Sequence, residues 1–263
     1  MDGTGSGGRC PVPANRGPPL RLQPLSIYNS WVQIRPDKDQ RLVLLLGDET
    51  GRTLRRHIVE RLEKADAPFR PAVIGCDLPF EGLAAVAEEM DELLKRFRPH
   101  VAHVSVGRTD LFRSIEPDGN SHPARGFVEI RQDLNRLVDA AKLSVETNLV
   151  IATAPPVRDD LQDLVRDDDI ERLNVVIREV GQHRDVLIDR WDHAIDRSAA
   201  DPAHLESDGH HLTEAGRQRV ADSTTKAIID ALIRAENPWN QFARVGRGSP
   251  LEGIPRPRHP EVQ

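Results

Sequence analysis

The segment Leu42-Val43-Leu44-Leu45-Leu46 is apolar without a break. A strand with one wet face alternates apolar and polar residues, so a run of this kind belongs to a strand covered on both faces. That environment is a parallel sheet packed between helices. Further short apolar runs occur at 71–74, 101–106, 149–152 and 186–189, and with 41–46 they make five predicted strands. Between them, apolar residues recur every three or four positions, which predicts helices over 53–64, 80–98, 127–144, 161–183 and 213–234. Strand and helix in alternation give the α/β class. The expected product is a three-layer α/β/α sandwich around a five-stranded, mainly parallel, flavodoxin-like sheet. In open sheets of this type, ligands bind beyond the carboxyl ends of the strands.

With 263 residues the chain has material for one such domain with appendages, and it is too long for a disulfide-stapled miniprotein. No apolar run approaches the ~20 residues that cross a bilayer, so no membrane partner is expected. The first twenty residues have no apolar stretch between a basic start and a small-residue cleavage site, which is not the form of a secretory signal. Cytoplasmic placement is the resulting expectation, and Cys10 and Cys76 alone suit a reducing compartment. The net charge is −6 with both signs interspersed, which offers nucleic acid no electrostatic footprint. The sequence assigns no oligomeric state.

The two ends differ from the body. Residues 1–27 and 236–263 hold 10 of the 20 prolines and 8 of the 18 glycines, a composition that cannot repay ordering entropy by burial. They are predicted to be a disordered Pro/Gly-rich leader and a Pro-rich tail around a domain at 28–235, with Trp31 and Trp239 as possible pins. The acidic run Asp159, Asp160, Asp163, Asp167, Asp168 and Asp169 lacks the glycine and spacing of a calcium loop and is expected to be a solvated helix face.

Polar clusters stand where the chemistry of such a sheet belongs. Gly47-Asp48-Glu49-Thr50 follows the first strand, Gly107-Arg108-Thr109-Asp110 follows the third, and Asp208-Gly209-His210-His211-Leu212-Thr213 precedes the last helix. With Val150-Ile151-Ala152-Thr153-Ala154-Pro155-Pro156 and the phrase from Asp208 to Gly216, the chain over roughly 41–235 resembles the SGNH hydrolases, also called GDSL esterases and lipases. Their blocks read G-D-S, G-x-N-D and D-x-x-H. The resemblance implies the same α/β/α fold, a small-molecule substrate and no cofactor.

The departures change the implied chemistry. Where the family has its nucleophilic serine this chain has Glu49, and where it has the oxyanion-binding asparagine it has Thr109. The second-block glycine pairs best with Asp77. Asp48, Asp110 and the Asp208/His211 pair remain in register. Losing one preorganised oxyanion donor costs ~10²–10³ in rate, and a carboxylate at this position repels the oxyanion, so serine-type ester hydrolysis is not expected. Three readings follow. Glu49 is a general base or carboxylate nucleophile, with His211 as the complementary acid held by Asp208. Alternatively, Glu49 and His211 form an ion pair that plugs a silent pseudo-enzyme, leaving a ligand-binding or partner-binding module. In the third reading, Thr50 or Ser105 supplies a nucleophile.

Supporting or substrate-binding candidates are Asp48, Asp77, Gly107, Arg108, Thr109 and Asp110. Asp48 is equally a helix cap, Asp110 a cap for the loop after the third strand, and Arg108 an ordinary surface arginine. His204, His210 and His211 beside Asp208 invite a metal, but neighbouring residues point in different directions, so no metal site is expected. His100 and His103 are three apart on a strand and face opposite sides. Cys76 is expected to be buried and inert.

Overall fold

Strand β1 (Gln40–Gly47) is buried from Leu42 onward, and the helix that follows it, α1 (Glu49–Lys64), starts within two residues of its end. A computed structural model describes residues 40–77, 82–115, 121–144, 147–158, 164–195 and 203–236. The chain divides after Arg35 into two units, and every described residue belongs to the second. The leader, Trp31 and Trp239, and the tail beyond Glu236, lie outside the described residues.

The order continues with β2 (Arg70–Asp77), α2 (Leu83–Phe97), β3 (Val101–Ser105), β4 (Arg113–Ile115), β5 (Ser121–Pro123), α3 (Phe127–Leu143) and β6 (Asn148–Ala152). It ends with α4 (Asp167–Arg184), β7 (Leu187–Asp189), α5 (Trp191–Ala194) and α6 (Glu214–Glu236). Five strands form one parallel sheet in the order β2-β1-β3-β6-β7. Side chains alternate across it. Leu44, Leu46 and Val104 pack on one side with Leu83 and Met90 of α2, Leu134 of α3 and Leu173 of α4. Val43, Leu45 and Val150 pack on the other with Leu54 and Ile58 of α1, Trp191 of α5, and Val220 and Ile228 of α6. Each fully buried leucine or isoleucine contributes about 2 kcal/mol by leaving water. The expected three-layer α/β/α sandwich is the observed fold.

The register sets the strand ends level. Gly47 of β1 stands opposite Asp77 of β2 and opposite Ser105 of β3. These strand ends therefore share one edge of the sheet.

Several boundaries moved for local reasons. Helix α1 begins at Glu49 because Asp48 caps it. In α2 the helix starts after Gly82, while Phe80 and Glu81 lie outside the described residues. Helix α4 starts at Asp167, six residues later than its periodicity predicted, with Asp167, Asp168 and Asp169 in a first turn that favours anions. This corrects the reading of the acidic run. Asp169 is buried and pairs with Arg113 at 2.5 Å, and Asp167 accepts from the Val157 N–H at 3.2 Å. Asp159, Asp160 and Asp163 lie outside the described residues. The antiparallel hairpin β4–β5 and short α5 had no periodicity to reveal them. Cys76 is buried in the core. Among the described residues no helix is long and apolar enough to cross a membrane.

Candidate functional site

Asp48 turns the end of β1 into α1. Its backbone is extended and its Oδ1 accepts from the N–H of Thr50 at 3.0 Å and of Gly51 at 3.4 Å, an N-cap worth about 1 kcal/mol. Glu49 is thereby the first helical residue, at the end of α1 whose free N–H groups attract negative charge. Its side chain is 48% exposed.

The second component is a loop closed by its own backbone. Glu206 N–H donates to the His211 carbonyl at 2.8 Å, Thr213 N–H to the His204 carbonyl at 2.9 Å, and Leu205 bridges Leu212. At the turn, Gly209 has φ +73°, a left-handed conformation that glycine adopts without strain. Asp208 Oδ1 then accepts from the N–H groups of His210 at 3.1 Å and His211 at 3.0 Å. Its Oδ2 lies 2.5 Å from Nδ1 of the His211 ring. With Nδ1 engaged, Nε2 of His211 faces Glu49, 3.6 Å from Oε1. Burial raises the Asp208 carboxyl, but the bonds from the His211 ring and the two backbone N–H groups outweigh it and hold it well below the ordinary carboxylate range.

Arg108 joins the two components. It is 5% exposed, which corrects the expectation of a surface arginine, and it donates to the His210 carbonyl at 2.9 Å. Burial lowers its guanidinium, while the charges of Asp48, Glu49 and Asp208 oppose that shift. Burial likewise raises the Asp48 carboxyl, against Arg108 and the N–H groups of Gly51 and Thr50. This buried cation thus lies in the field of three carboxylates, and the sequence carried no signal of its burial beyond proximity to the family-like blocks.

The remaining candidates divide. Gly107 has φ +111°, which disfavours a side chain there. Thr109 opens a 3-10 turn, and its Oγ1 is buried with no hydrogen-bond partner among the described residues. Asp110 is drawn elsewhere: it accepts from the Leu83 N–H at 2.8 Å, capping α2 after Gly82, and from Arg125 at 3.2 Å. Burial raises its carboxyl, opposed by these two donors. Asp77 ends β2 opposite Gly47, and its side chain lies outside the described residues.

Ser105 Oγ sits 3.4 Å from the Leu46 carbonyl, and a Cβ added at Gly51 would come within 2.4 Å of it. The hydroxyl fills the seam between β3 and α1. Thr50 is buried beside it. Asp48, Thr50, Ser105, Arg108, Thr153 and Trp191 border a crevice with room for about one water.

The tandem histidines depart from expectation. The rings of His210 and His211 lie 4.0 Å apart centre to centre, and one ligand atom from each of Asp208, His210 and His211 falls within 4.8 Å of the others. The turn at Gly209 brings together side chains that a strand or a helix would separate. His100 and His103 have separate partners: His100 Nδ1 accepts from the Leu42 N–H, and His103 Nε2 meets Asp189.

Residues 47–219 match the profile of the GDSL-like Lipase/Acylhydrolase family. Solved structures share the fold. A lipase/acylhydrolase from Enterococcus faecalis is 15% identical with a TM-score of 0.59, covering 72% of this chain and 96% of its own. A family 3 carbohydrate esterase from Clostridium thermocellum is 16% identical with a TM-score of 0.55, over 74% and 98%. A GDSL-like lipase from Bacteroides thetaiotaomicron is 14% identical with a TM-score of 0.57, over 76% and 91%. No curated protein matches the sequence.

Proposed function

The chain belongs to the GDSL-like lipase/acylhydrolase family, and from that premise we propose that it is a hydrolase in which Glu49 stands in place of the family's serine. The substrate class is a small acyl compound, and the reaction proceeds through acid–base chemistry rather than a seryl intermediate. Glu49 takes a proton from water as the water oxygen bonds to the acyl carbon. The tetrahedral adduct then breaks its bond to the leaving oxygen, which takes the proton of the doubly protonated His211 from Nε2. Glu49 returns its proton to His211, restoring both groups. Asp208 holds the ring through Nδ1, and Thr109 Oγ1 is the nearest counterpart of the missing oxyanion donor. Localisation in the cytoplasm remains part of this reading.

The observation that carries it is the 3.6 Å between Glu49 Oε1 and His211 Nε2. That gap exceeds a hydrogen bond, which spans ~2.6–3.2 Å, and both side chains are more than a third exposed. A plug would be a dry, direct contact. This pair is open to solvent instead, so a substrate can approach both groups from the exposed side.

Glu49→Gln keeps the shape and removes the base. Turnover of an activated short-chain aryl ester should fall by ~10²–10⁴ in this variant, the usual contribution of general base catalysis. Undiminished turnover in Glu49→Gln would falsify the assignment. No turnover in the wild-type chain across a panel of acyl substrates favours the alternative, a silent member that binds a ligand or partner.

A further inference from the structure

We propose that the loop from Asp208 to His211 is a binding site for a borderline divalent transition-metal ion such as zinc, held by Asp208, His210 and His211. His210 has no part in the proposed reaction, yet its ring lies against that of His211, centre to centre at 4.0 Å and tilted by 40°. Imidazole and carboxylate are the ligand types that such ions take, and the three ligand atoms fall within 4.8 Å of one another. Zinc holds nitrogen and oxygen at ~2.0–2.2 Å, so neighbouring ligands of a tetrahedral ion lie about 3.4 Å apart. His210 Nδ1 and Asp208 Oδ1 are 3.5 Å apart already.

The loop is built to keep that spacing. Two backbone N–H groups fix Asp208, the Arg108 guanidinium fixes the His210 carbonyl, and the Leu205–Leu212 bridge closes the base. For Asp208 and the His210 backbone, little ordering entropy then remains to be lost on binding. The His210, His211 and Asp208 side chains are 20%, 37% and 42% exposed, which leaves the ion an entry path.

The third ligand makes the ion a competitor. His211 Nδ1 lies 2.5 Å from Asp208 Oδ2, a hydrogen-bond distance too short for both atoms to bind one ion. Coordination replaces the shared proton and moves the ring from its place on Asp208. The metal therefore displaces the arrangement on which the proposed hydrolase depends, and this consequence alone rests on that proposal.

The test is titration of the metal-free full-length chain with zinc by calorimetry, and with cobalt by its visible d–d bands, in the wild type and in His210→Asn. The expected result is one ion per chain in the wild type, tetrahedral cobalt bands, and binding weakened at least about tenfold in His210→Asn. Equal affinity in the two proteins overturns the site, as does the absence of cobalt bands in the wild type, which needs no variant to fold. Ester turnover of His210→Asn without metal should match the wild type, and its resistance to added zinc reads the competition separately. A chain that binds zinc through His210 but hydrolyses nothing retains the site and loses only the hydrolase reading.

Discussion

Asp189 at the end of β7 takes Nε2 of His103 in β3 at 3.0 Å, reaching over the intervening strand β6. Both side chains are buried, and His103 stacks on Trp191 with ring centres 6.0 Å apart. The carboxylate is saturated: Trp191 Nε1 donates at 2.8 Å, Thr224 Oγ1 at 2.6 Å and Ser223 Oγ at 2.6 Å. This is a second aspartate–histidine pair, with the same chemical groups as Asp208 and His211 but sealed from solvent. It ties β3 and β7 to α5 and α6, with both members of the pair buried.

Asp189→Asn replaces a charged acceptor of four bonds by a neutral amide that also donates, so the buried network must rearrange around it. The expected loss is about 3 kcal/mol of stability, read as a lower urea midpoint with an unchanged slope. A midpoint equal to wild type would show that the network contributes nothing net.

Asp208 makes stability depend on acid. A carboxyl whose folded value lies below its unfolded one adds stability above the unfolded value and loses it as pH falls toward the folded one. Since the folded value is depressed from 3.8, the urea-midpoint advantage of wild type over Asp208→Asn should hold from neutrality to about pH 4 and shrink below it. An advantage that shrinks between pH 7 and 5 instead contradicts the depressed value.

Arg108 and Asp48 should behave as a coupled pair. Removing the buried cation with Arg108→Met leaves Asp48 as an uncompensated carboxylate and frees the His210 carbonyl, with an expected cost of about 3 kcal/mol. Adding Asp48→Asn keeps the acceptor for the α1 cap while removing the charge, so the double variant should recover at least about 1 kcal/mol of that loss. Strict additivity in the double-mutant cycle would mean that the two charges do not interact.

The sheet was legible because its strands announce themselves: an uninterrupted apolar run such as Leu42 to Leu46 has few places to go except a doubly covered strand. Helix starts were less legible, since Asp48 extends α1 through two side-chain bonds that no periodicity encodes. At the site, the grouping of Glu49, Asp208 and His211 followed from blocks placed at strand ends, and the distance between them did not. Arg108 reads as one charge among many until folding buries it, and Asp110 is pulled toward Leu83 and Arg125 by a helix start 27 residues away in sequence. The close approach of the His210 and His211 rings accompanies one positive φ at Gly209, a local turn that overrides the divergence expected of neighbouring side chains.

The loop that carries Asp208 and His211 closes on itself through Leu205 and Leu212, while Glu49 rides on a different element capped by Asp48. The Asp208–His211 pair and the Glu49 it faces are thus carried by separate elements, like a socket and an interchangeable bit. On the proposed reading, a codon change at the start of α1 exchanges the group that faces His211 while leaving the histidine and its aspartate in place.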